Sequence, residues 1–176
     1  MGVRRQAREA ALQAIFMCDA LGAWEPNAVQ LCFDHFGCPE AALPYADVIG
    51  RGVVQNLAEI DSKISCASEH WSLSRMSRVD RCLLRLATYE ITFLDDIPLG
   101  VAIDEAIEIA KRFGSENSPT FVNGVLDRIA TTLRKKIEIE RVAAKPLAVE
   151  VEIDGGGGEI GDGEEKPAKP DSWRLM

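Results

Sequence analysis

The chain has 176 residues, with 20 Lys and Arg against 28 Asp and Glu, and its formal net charge is −8. This length suits one compact domain, and the acidic balance argues against a basic nucleic-acid binder, because such domains usually have a pI above about 9. No apolar run reaches the roughly 18 residues that span a bilayer, and no apolar segment of a signal peptide follows the basic N-terminus. We therefore expect a cytoplasmic protein without a membrane anchor.

The first half of the chain has the apolar spacing of helices. Apolar residues recur three and four positions apart from residue 3 to residue 21, and Gly22 has the position of a residue that ends this first helix. Asn27 is expected to cap a short second helix. From Pro44 the pattern continues into the mid-sixties and predicts one long third helix.

The next two helices have clear terminal signals. Ser77 and Asp80 have the spacing of a capping box, with Asp in place of the usual Glu or Gln. Pro98 is expected to open the following helix, and Gly114 has the position of a residue that ends it.

The last predicted helix begins with Ser118 as its N-cap and Pro119 as its first residue. We expect it to end in the basic cluster at residues 134–136, because cations favour a helix C-terminus. The pattern as a whole predicts an all-α protein of about six or seven helices joined by short loops.

Residues 143–176 differ from the rest of the chain in composition. They carry 4 basic and 8 acidic side chains and are rich in Gly, Pro and Glu. Such a segment buries too little apolar surface to offset the entropy of ordering it. We therefore expect a helical domain at residues 1–142, followed by a disordered acidic tail at residues 143–176.

The sequence contains no recognisable catalytic or metal-binding pattern. It has 2 histidines, and its 5 cysteines include no CxxC pair, which favours free core thiols in a reducing compartment. The acidic run of Asp104, Glu105 and Glu108 lacks the Glu-x-x-His pair of a di-iron site and favours a solvated, ion-paired helix face. We expect no metal and no cofactor.

Two groups of residues indicate contact with RNA. Arg4, Arg5 and Arg8 open the first helix, where cations oppose the helix dipole, and clustered guanidinium groups fit phosphates and stack on bases. The alternative is an ordinary solvated basic end, which composition alone favours by roughly two to one. The segment 111–121 combines cations, an amide, hydroxyls and aromatic rings, as sites for single-stranded RNA do, although its rings also fit the core periodicity.

Three stretches resemble the NusB family of bacterial transcription antitermination factors. They are RRQAREAALQAIF at 4–16, SRVDRCLLRLATYEI at 77–91, and the segment 97–130 with AKRFG and FVNGVLD. The resemblance covers about residues 3–136 and implies an all-α fold of two small helix bundles without enzymatic activity. It also implies binding of boxA RNA in ribosomal RNA transcripts together with NusE, a small-subunit ribosomal protein. The other Nus factors and RNA polymerase would be indirect partners.

The residue patterns and the resemblance together predict site residues. The RNA contacts are expected at cations, aromatic rings and one amide: Arg4, Arg5, Arg8, Phe16, Lys111, Arg112, Asn117 and Phe121. The surface for NusE is expected to include Asp80, Arg81 and Glu90.

Three positions depart from the family pattern that the resemblance supplies. Gln6 stands where many relatives have a basic residue, and Phe16 stands where the aromatic residue is often Tyr. Asn117 stands where Asp is frequent, and a neutral amide removes like-charge repulsion of RNA. We expect an RNA affinity at least equal to that of an acidic version.

Other interpretations remain open on the sequence alone. One is a NusB-like domain derived from a ribosomal RNA cytosine methyltransferase, against which the length of the chain argues, and another is a helical scaffold without a nucleic-acid role. The sequence is compatible with a monomer and with a homodimer. The acidic tail is interpreted as an extension that reduces non-specific RNA binding.

Overall fold

The computed structural model describes residues 2–69 and 71–143, which form seven α-helices and one short 3-10 turn, at Leu73–Arg75. The helices are α1 Val3–Leu21, α2 Pro26–Phe36, α3 Leu43–Gln55, α4 Leu57–Ala67, α5 Arg78–Phe93, α6 Leu99–Phe113 and α7 Ser118–Ala143. These two ranges contain no strand, which confirms the all-α prediction. None of their helices is long and apolar enough to cross a membrane. Apart from Ala143, the predicted tail lies outside the described residues.

The helices form two small bundles. Helices α1, α2 and α3 pack together as the N-terminal bundle, and α4, α5, α6 and α7 pack as the C-terminal bundle, while α1 and α3 also contact α5. Two apolar clusters fill the interior: the smaller lies within the N-terminal bundle, and the larger fills the C-terminal bundle and extends to α1 and α3. Members of the first cluster include Ala7, Ala14, Cys18, Val29 and Phe33, and members of the second include Ile60, Leu83, Leu86, Ile109 and Leu126.

Helix α1 packs closely on its neighbours because one of its faces consists of small residues. Ala7, Ala11 and Ala14 recur at spacings of four and three, and each is 0% exposed. Helix α5 is enclosed more completely, since every residue from 82 to 90 is buried. A charged residue on α5 therefore requires a partner inside the protein, and this requirement shapes the site described below.

The predicted long third helix is two helices, and that prediction was wrong. Helix α3 ends at Gln55 and α4 begins at Leu57, with Asn56 between them at φ −114° and ψ 18°. The Asn56 side-chain amide donates to the carbonyl oxygen of Gly52 at 2.8 Å. Asn side chains compete with the helical ladder for backbone groups in this way, whereas the apolar periodicity continues across the break.

The predicted end of α1 is confirmed, the predicted capping box of α5 is confirmed only for its Ser77 half, and the predicted cap of α2 is wrong. Gly22 ends α1 in the left-handed region, with φ 66°. The hydroxyl of Ser77 accepts a hydrogen bond from the backbone N–H of Asp80 at 3.1 Å. Asn27, in contrast, lies inside α2, which begins at Pro26 without a side-chain cap.

Gly114 ends α6 as predicted, whereas both predicted limits of α7, Ser118 as its N-cap and the basic cluster as its end, were wrong. Gly114 ends α6 at φ −89°, and its lack of a side chain is required because a Cβ there would lie 2.5 Å from the Ser118 Cβ. Ser118 is the first residue of α7, and its hydroxyl accepts from the backbone N–H of Ser115 at 2.8 Å. Helix α7 continues past the basic cluster to Ala143.

Candidate nucleic-acid interface

Arg8 and Glu90 form a buried ion pair between α1 and α5. The side chains are 2% and 0% exposed, and Arg8 Nε lies 2.8 Å from Glu90 Oε1. The Tyr45 hydroxyl of α3 also donates to this carboxylate. Burial raises the pKa of the Glu90 carboxyl, and the charge of Arg8 and the hydrogen bond from Tyr45 oppose that rise. In this geometry neither Arg8 nor Glu90 reaches the surface, so direct contact with RNA or a partner protein would require the pair to separate.

Arg5 lies one turn closer to the N-terminus and is half-buried. Its Nε and Nη2 donate to the two oxygens of Glu105 on α6, at 2.9 Å and 2.7 Å. Hydrogen bonds from Arg5 lower the pKa of the Glu105 carboxyl below its ordinary value. Glu105 also lies 3.5 Å from Nη1 of Arg8. One carboxylate of the C-terminal bundle thus contacts two arginines of α1.

Arg4 is the most exposed arginine of this group. Its side chain is 59% exposed and lies 3.4 Å from Asp96, which is itself 65% exposed. Its guanidinium also lies 5.4 Å from the centre of the Tyr45 ring. Exposed pairs of this length stabilise a protein only slightly, so Arg4 is accessible to an incoming phosphate.

The C-terminal end of α6 adds two more cations to the same surface. Lys111 contacts Glu108 within α6 at 2.6 Å, which confirms the predicted ion-paired face for Glu108. Arg112 reaches α1, where Nη1 lies 2.7 Å from both oxygens of Glu9. Both cations are more than half exposed.

These cations line one shallow cleft between α1 and α6, which we call the cationic cleft. It has a volume of about 330 Å³, and its lining residues are Arg5, Glu9, Glu108, Ile109, Lys111 and Arg112. Arg5 of the segment 4–8 and Lys111 and Arg112 of the segment 111–121 therefore meet in three dimensions, whereas Asn117 and Phe121 do not line this cleft. A cleft with three cations fits an anionic ligand.

Phe16 lies in a neighbouring groove between α1 and α5. The groove has a volume of about 600 Å³, and Gln6, Glu9, Val79 and Phe113 also line it. The Arg78 guanidinium lies 5.5 Å from the centre of the Phe16 ring. Since Glu9 lines both the groove and the cationic cleft, the two depressions adjoin each other.

Phe121 belongs to an aromatic patch at the start of α7. Its ring packs edge-on against Trp71, with ring centres 6.4 Å apart, and the Arg75 guanidinium lies 5.3 Å from the centre of the Trp71 ring. Trp71 is half exposed. Exposed rings with a cation beside them can stack on nucleic-acid bases. Asn117, in the turn before α7, is exposed as well.

The residues predicted to contact a protein partner lie at or within α5. Asp80 is 8% exposed, and its Oδ1 has no hydrogen-bond partner among the described residues. Arg81 donates to Asp19 of α1 at 2.6 Å and to the carbonyl oxygen of Leu73 at 3.0 Å. Arg81 therefore joins α5 to α1. Since Glu90 is buried as well, few of the side chains predicted to contact the protein partner are exposed.

Asp19 lies at the centre of this network. Its carboxylate accepts hydrogen bonds from Arg78, Arg81 and Arg85 of α5, and Arg85 also binds Asp61 of α4. Burial alone would raise the pKa of the Asp19 carboxyl, but the hydrogen bonds from Arg81 and Arg85 outweigh it and lower the pKa below its ordinary value. The cluster ties α1, α4 and α5 together.

In the described ranges 2–69 and 71–143, no group of three or more His, Cys, Asp or Glu is placed to bind a metal. Cys18 and Cys82 are buried free thiols, and burial raises their pKa values to about 11 and about 12. Such thiols stay protonated at neutral pH and behave as small apolar side chains.

Sequence reasoning missed Glu9, Glu105 and Trp71. Glu105 was interpreted as part of a face paired within its own helix, whereas its partner Arg5 lies 100 residues away in the sequence. The separation of Glu9 from Arg112 is 103 residues. Local spacing in the sequence does not indicate such pairs. For Trp71 the available signal was its sequence context, that of an aromatic residue flanked by polar residues before the Ser77 cap.

The fold and this surface define a small all-α protein of two bundles whose first helix presents Arg5 to a cleft shared with Lys111 and Arg112. The NusB family profile matches residues 5–131. The chain is 47% identical over 137 residues to the transcription antitermination protein NusB of Desulfitobacterium hafniense, covering 77% of this chain and 93% of that relative. It belongs to the NusB family.

Solved structures show the same similarity. The structure of T. maritima NusB is 45% identical, with a TM-score of 0.65 and coverage of 77% of this chain and 96% of that chain. A structure of the antitermination factors NusB and NusE in complex with double-stranded RNA is 28% identical, with a TM-score of 0.66 and coverage of 75% and 98%.

Proposed function

We propose that this protein is a non-catalytic transcription antitermination factor of the cytoplasm. It binds boxA RNA of ribosomal RNA transcripts together with NusE, and with the other Nus factors it joins elongating RNA polymerase. Membership of the NusB family and the similarity to a NusB that was solved with NusE and RNA support this function. The match to an antitermination protein over 93% of its length favours it over a methyltransferase-derived domain.

The observation that carries the proposal is the cationic cleft. Arg5 from α1 and Lys111 and Arg112 from α6 converge there although they are about a hundred positions apart in the chain. Arginine forks match phosphate oxygens in pairs, and a lysine adds a point charge. An acidic protein can thus bind RNA locally, because the cations are gathered in one place.

The arginines of α1 have different roles in this proposal. Arg4 and Arg5 contact RNA phosphates, since both are at least partly exposed. Arg8 holds α1 in position through its ion pair with Glu90 of α5. Direct contact between Arg8 and RNA stays a prediction, and it would require this ion pair to open.

The aromatic patch is proposed to stack on RNA bases. Trp71 and Phe121 offer ring faces or edges at the surface, and Arg75 lies against Trp71. Base stacking on an aromatic side chain contributes about 1–3 kcal/mol per base. Phe16 and Asn117 extend the proposed RNA surface from the neighbouring groove and from the turn before α7.

We propose the N-terminal part of α5 as the contact region for NusE. Asp80 has a carboxylate oxygen without a partner among the described residues, and a buried acceptor of this kind gains stability when a donor reaches it. Arg81 and Glu90 act by fixing the position of α5 rather than by direct contact, because their side chains are engaged inside the protein.

The test is assembly of the ternary complex. We would titrate fluorescent boxA RNA with this protein, with NusE, and with both, and repeat each titration with RNA of scrambled sequence. The proposal predicts that the two proteins together bind boxA RNA more tightly than either alone and more tightly than the scrambled RNA. Equal binding of both RNAs, or no gain from NusE, would contradict it.

A further inference from the structure

The cations of the cationic cleft are already engaged by carboxylates. Two of these contacts join different helices: Arg5 donates twice to Glu105, at 2.9 Å and 2.7 Å, and Arg112 contacts both oxygens of Glu9 at 2.7 Å. Lys111 contacts Glu108 at 2.6 Å. The cleft therefore contains cations in a geometry suited to phosphate while its local charge is nearly balanced.

We propose that Glu105 and Glu9 determine the RNA selectivity of this surface by competing with phosphate for Arg5 and Arg112. This inference rests on the proposed RNA-binding function. An RNA that offers phosphates alone has to displace a two-point carboxylate interaction before it forms an equivalent one. An RNA that also places bases on other parts of the surface has additional interactions that compensate for this exchange.

Replacing the carboxylate by a phosphate is unfavourable when the RNA makes no other contact, because the displaced carboxylate stays beside the phosphate. Carboxylate and phosphate accept the same pair of hydrogen bonds from a guanidinium group, so replacing one by the other gains little. The displaced carboxylate then lies next to the phosphate, and like charges placed together suppress the wrong partner. An ordinary glutamate carboxyl is ionised at neutral pH, so Glu105 keeps its negative charge after Arg5, which lowers its pKa in the ion pair, has left it.

Glu105 is suited to this role by its position. Its side chain is 22% exposed, so it stays beside the cleft after Arg5 has left it. The 3.5 Å contact with Arg8 keeps it close to the buried ion pair. Glu9 is similarly restricted, with a side chain 15% exposed. Both carboxylates are therefore built into the surface and cannot swing far from an incoming phosphate.

The experiment compares charge-neutral variants of these acids. Glu105→Gln and Glu9→Gln remove the competing charge and keep the size of the side chain. Asp104→Asn is the matched control, because Asp104 is the exposed neighbour of Glu105 and no ion pair with it is found in the described part of the chain. Each full-length protein is titrated, with NusE present, against boxA RNA and scrambled RNA of equal length at several salt concentrations, after thermal melting has verified its folding.

We expect both Gln variants to bind scrambled RNA about two- to fivefold more tightly, as befits the removal of one partly exposed ion pair. Their slope of log K against log salt should steepen by about 0.7 for each additional phosphate that the released cations neutralise. Affinity for boxA RNA should change less, so the ratio of the two affinities falls, whereas Asp104→Asn should leave this ratio near that of the wild type.

Two results would overturn the inference while leaving the proposed function intact. One is an unchanged affinity ratio in both Gln variants, and the other is an equal fall of the ratio in Asp104→Asn, which would indicate general charge rather than the specific ion pairs. A wild-type protein that binds neither RNA in the presence of NusE would instead overturn the proposed function, and this inference with it.

Discussion

The guanidinium group of Arg8 in α1 lies 2.8 Å from the carboxylate of Glu90 in α5, and both side chains are almost fully shielded from solvent. Since α1 belongs to the N-terminal bundle and α5 to the C-terminal bundle, the ion pair joins the two. It also fixes the turn of α1 that presents Arg4 and Arg5 to the solvent. Arg8 therefore anchors the helix, whereas Arg4 is accessible to a ligand and Arg5 is paired at the surface with Glu105.

Removing one partner of this pair should be costly. Glu90→Ala leaves the Arg8 charge buried without its carboxylate, and we expect the free energy of unfolding to fall by about 3–5 kcal/mol. Urea denaturation measures it, with the exposed Glu108→Ala as a control that should change stability by less than about 1 kcal/mol. A Glu90→Ala variant as stable as the control would contradict a buried pair.

The Asp19 cluster predicts a loss of stability in acid. The folded protein lowers the pKa of the Asp19 carboxyl below its ordinary value of 3.8, so its stabilising effect is present above that value and disappears as the pH falls through the folded pKa. We expect the unfolding free energy of the wild type to decrease more steeply from about pH 5 to pH 2 than that of Asp19→Asn. Parallel curves for the two proteins would show that Asp19 is not the responsible group.

Two glycines, one at the end of α6 and one inside α7, should respond in opposite directions to alanine. At Gly114 a Cβ would lie 2.5 Å from the Ser118 Cβ and 2.7 Å from the Ala110 carbonyl oxygen, whereas at Gly124, inside α7, nothing lies within 4 Å. We expect Gly114→Ala to destabilise the protein by about 1–3 kcal/mol and Gly124→Ala to stabilise it by about 0.4–1 kcal/mol. Thermal melting distinguishes these outcomes, and a neutral Gly114→Ala would refute the close approach of α6 and α7.

The aromatic patch gives a prediction for RNA affinity. Trp71→Ala removes an exposed ring that lies beside Phe121 and Arg75, and we expect binding of boxA RNA with NusE to weaken by about 1–3 kcal/mol. Phe36→Ala, which removes an exposed aromatic ring from α2, should leave the affinity unchanged. If the two variants bind RNA equally well, Trp71 does not stack on a base.

The sequence predicts those features that depend on local spacing. The apolar stripe of α1, its end at Gly22 and the Ser77 cap of α5 are each determined within a few residues, and the structure confirms them. The break at Asn56 was not predicted, because a side-chain hydrogen bond decides it while the apolar pattern runs on.

The site was predicted only in part for a similar reason. The arginines themselves are visible in the sequence, but the partners of Arg5 and Arg8 are 100 and 82 residues away and are chosen by the packing of α1 against α5 and α6. The burial of Arg8 follows from that packing and could not be inferred from a row of basic residues. Arg5 and Arg8 therefore have different roles although they lie three positions apart on the same helix.

The most direct test of the cationic cleft is the salt dependence of RNA binding in the double variant Arg5→Gln/Arg112→Gln. Measured with boxA RNA and NusE, the slope of log K against log salt should flatten by about 0.7 for each phosphate that the variant no longer neutralises. Arg51→Gln serves as the control, since Arg51 lies on α3 and pairs with Asp47, and it should keep the wild-type slope. A double variant with the slope and affinity of the wild type would show that RNA does not bind at this cleft.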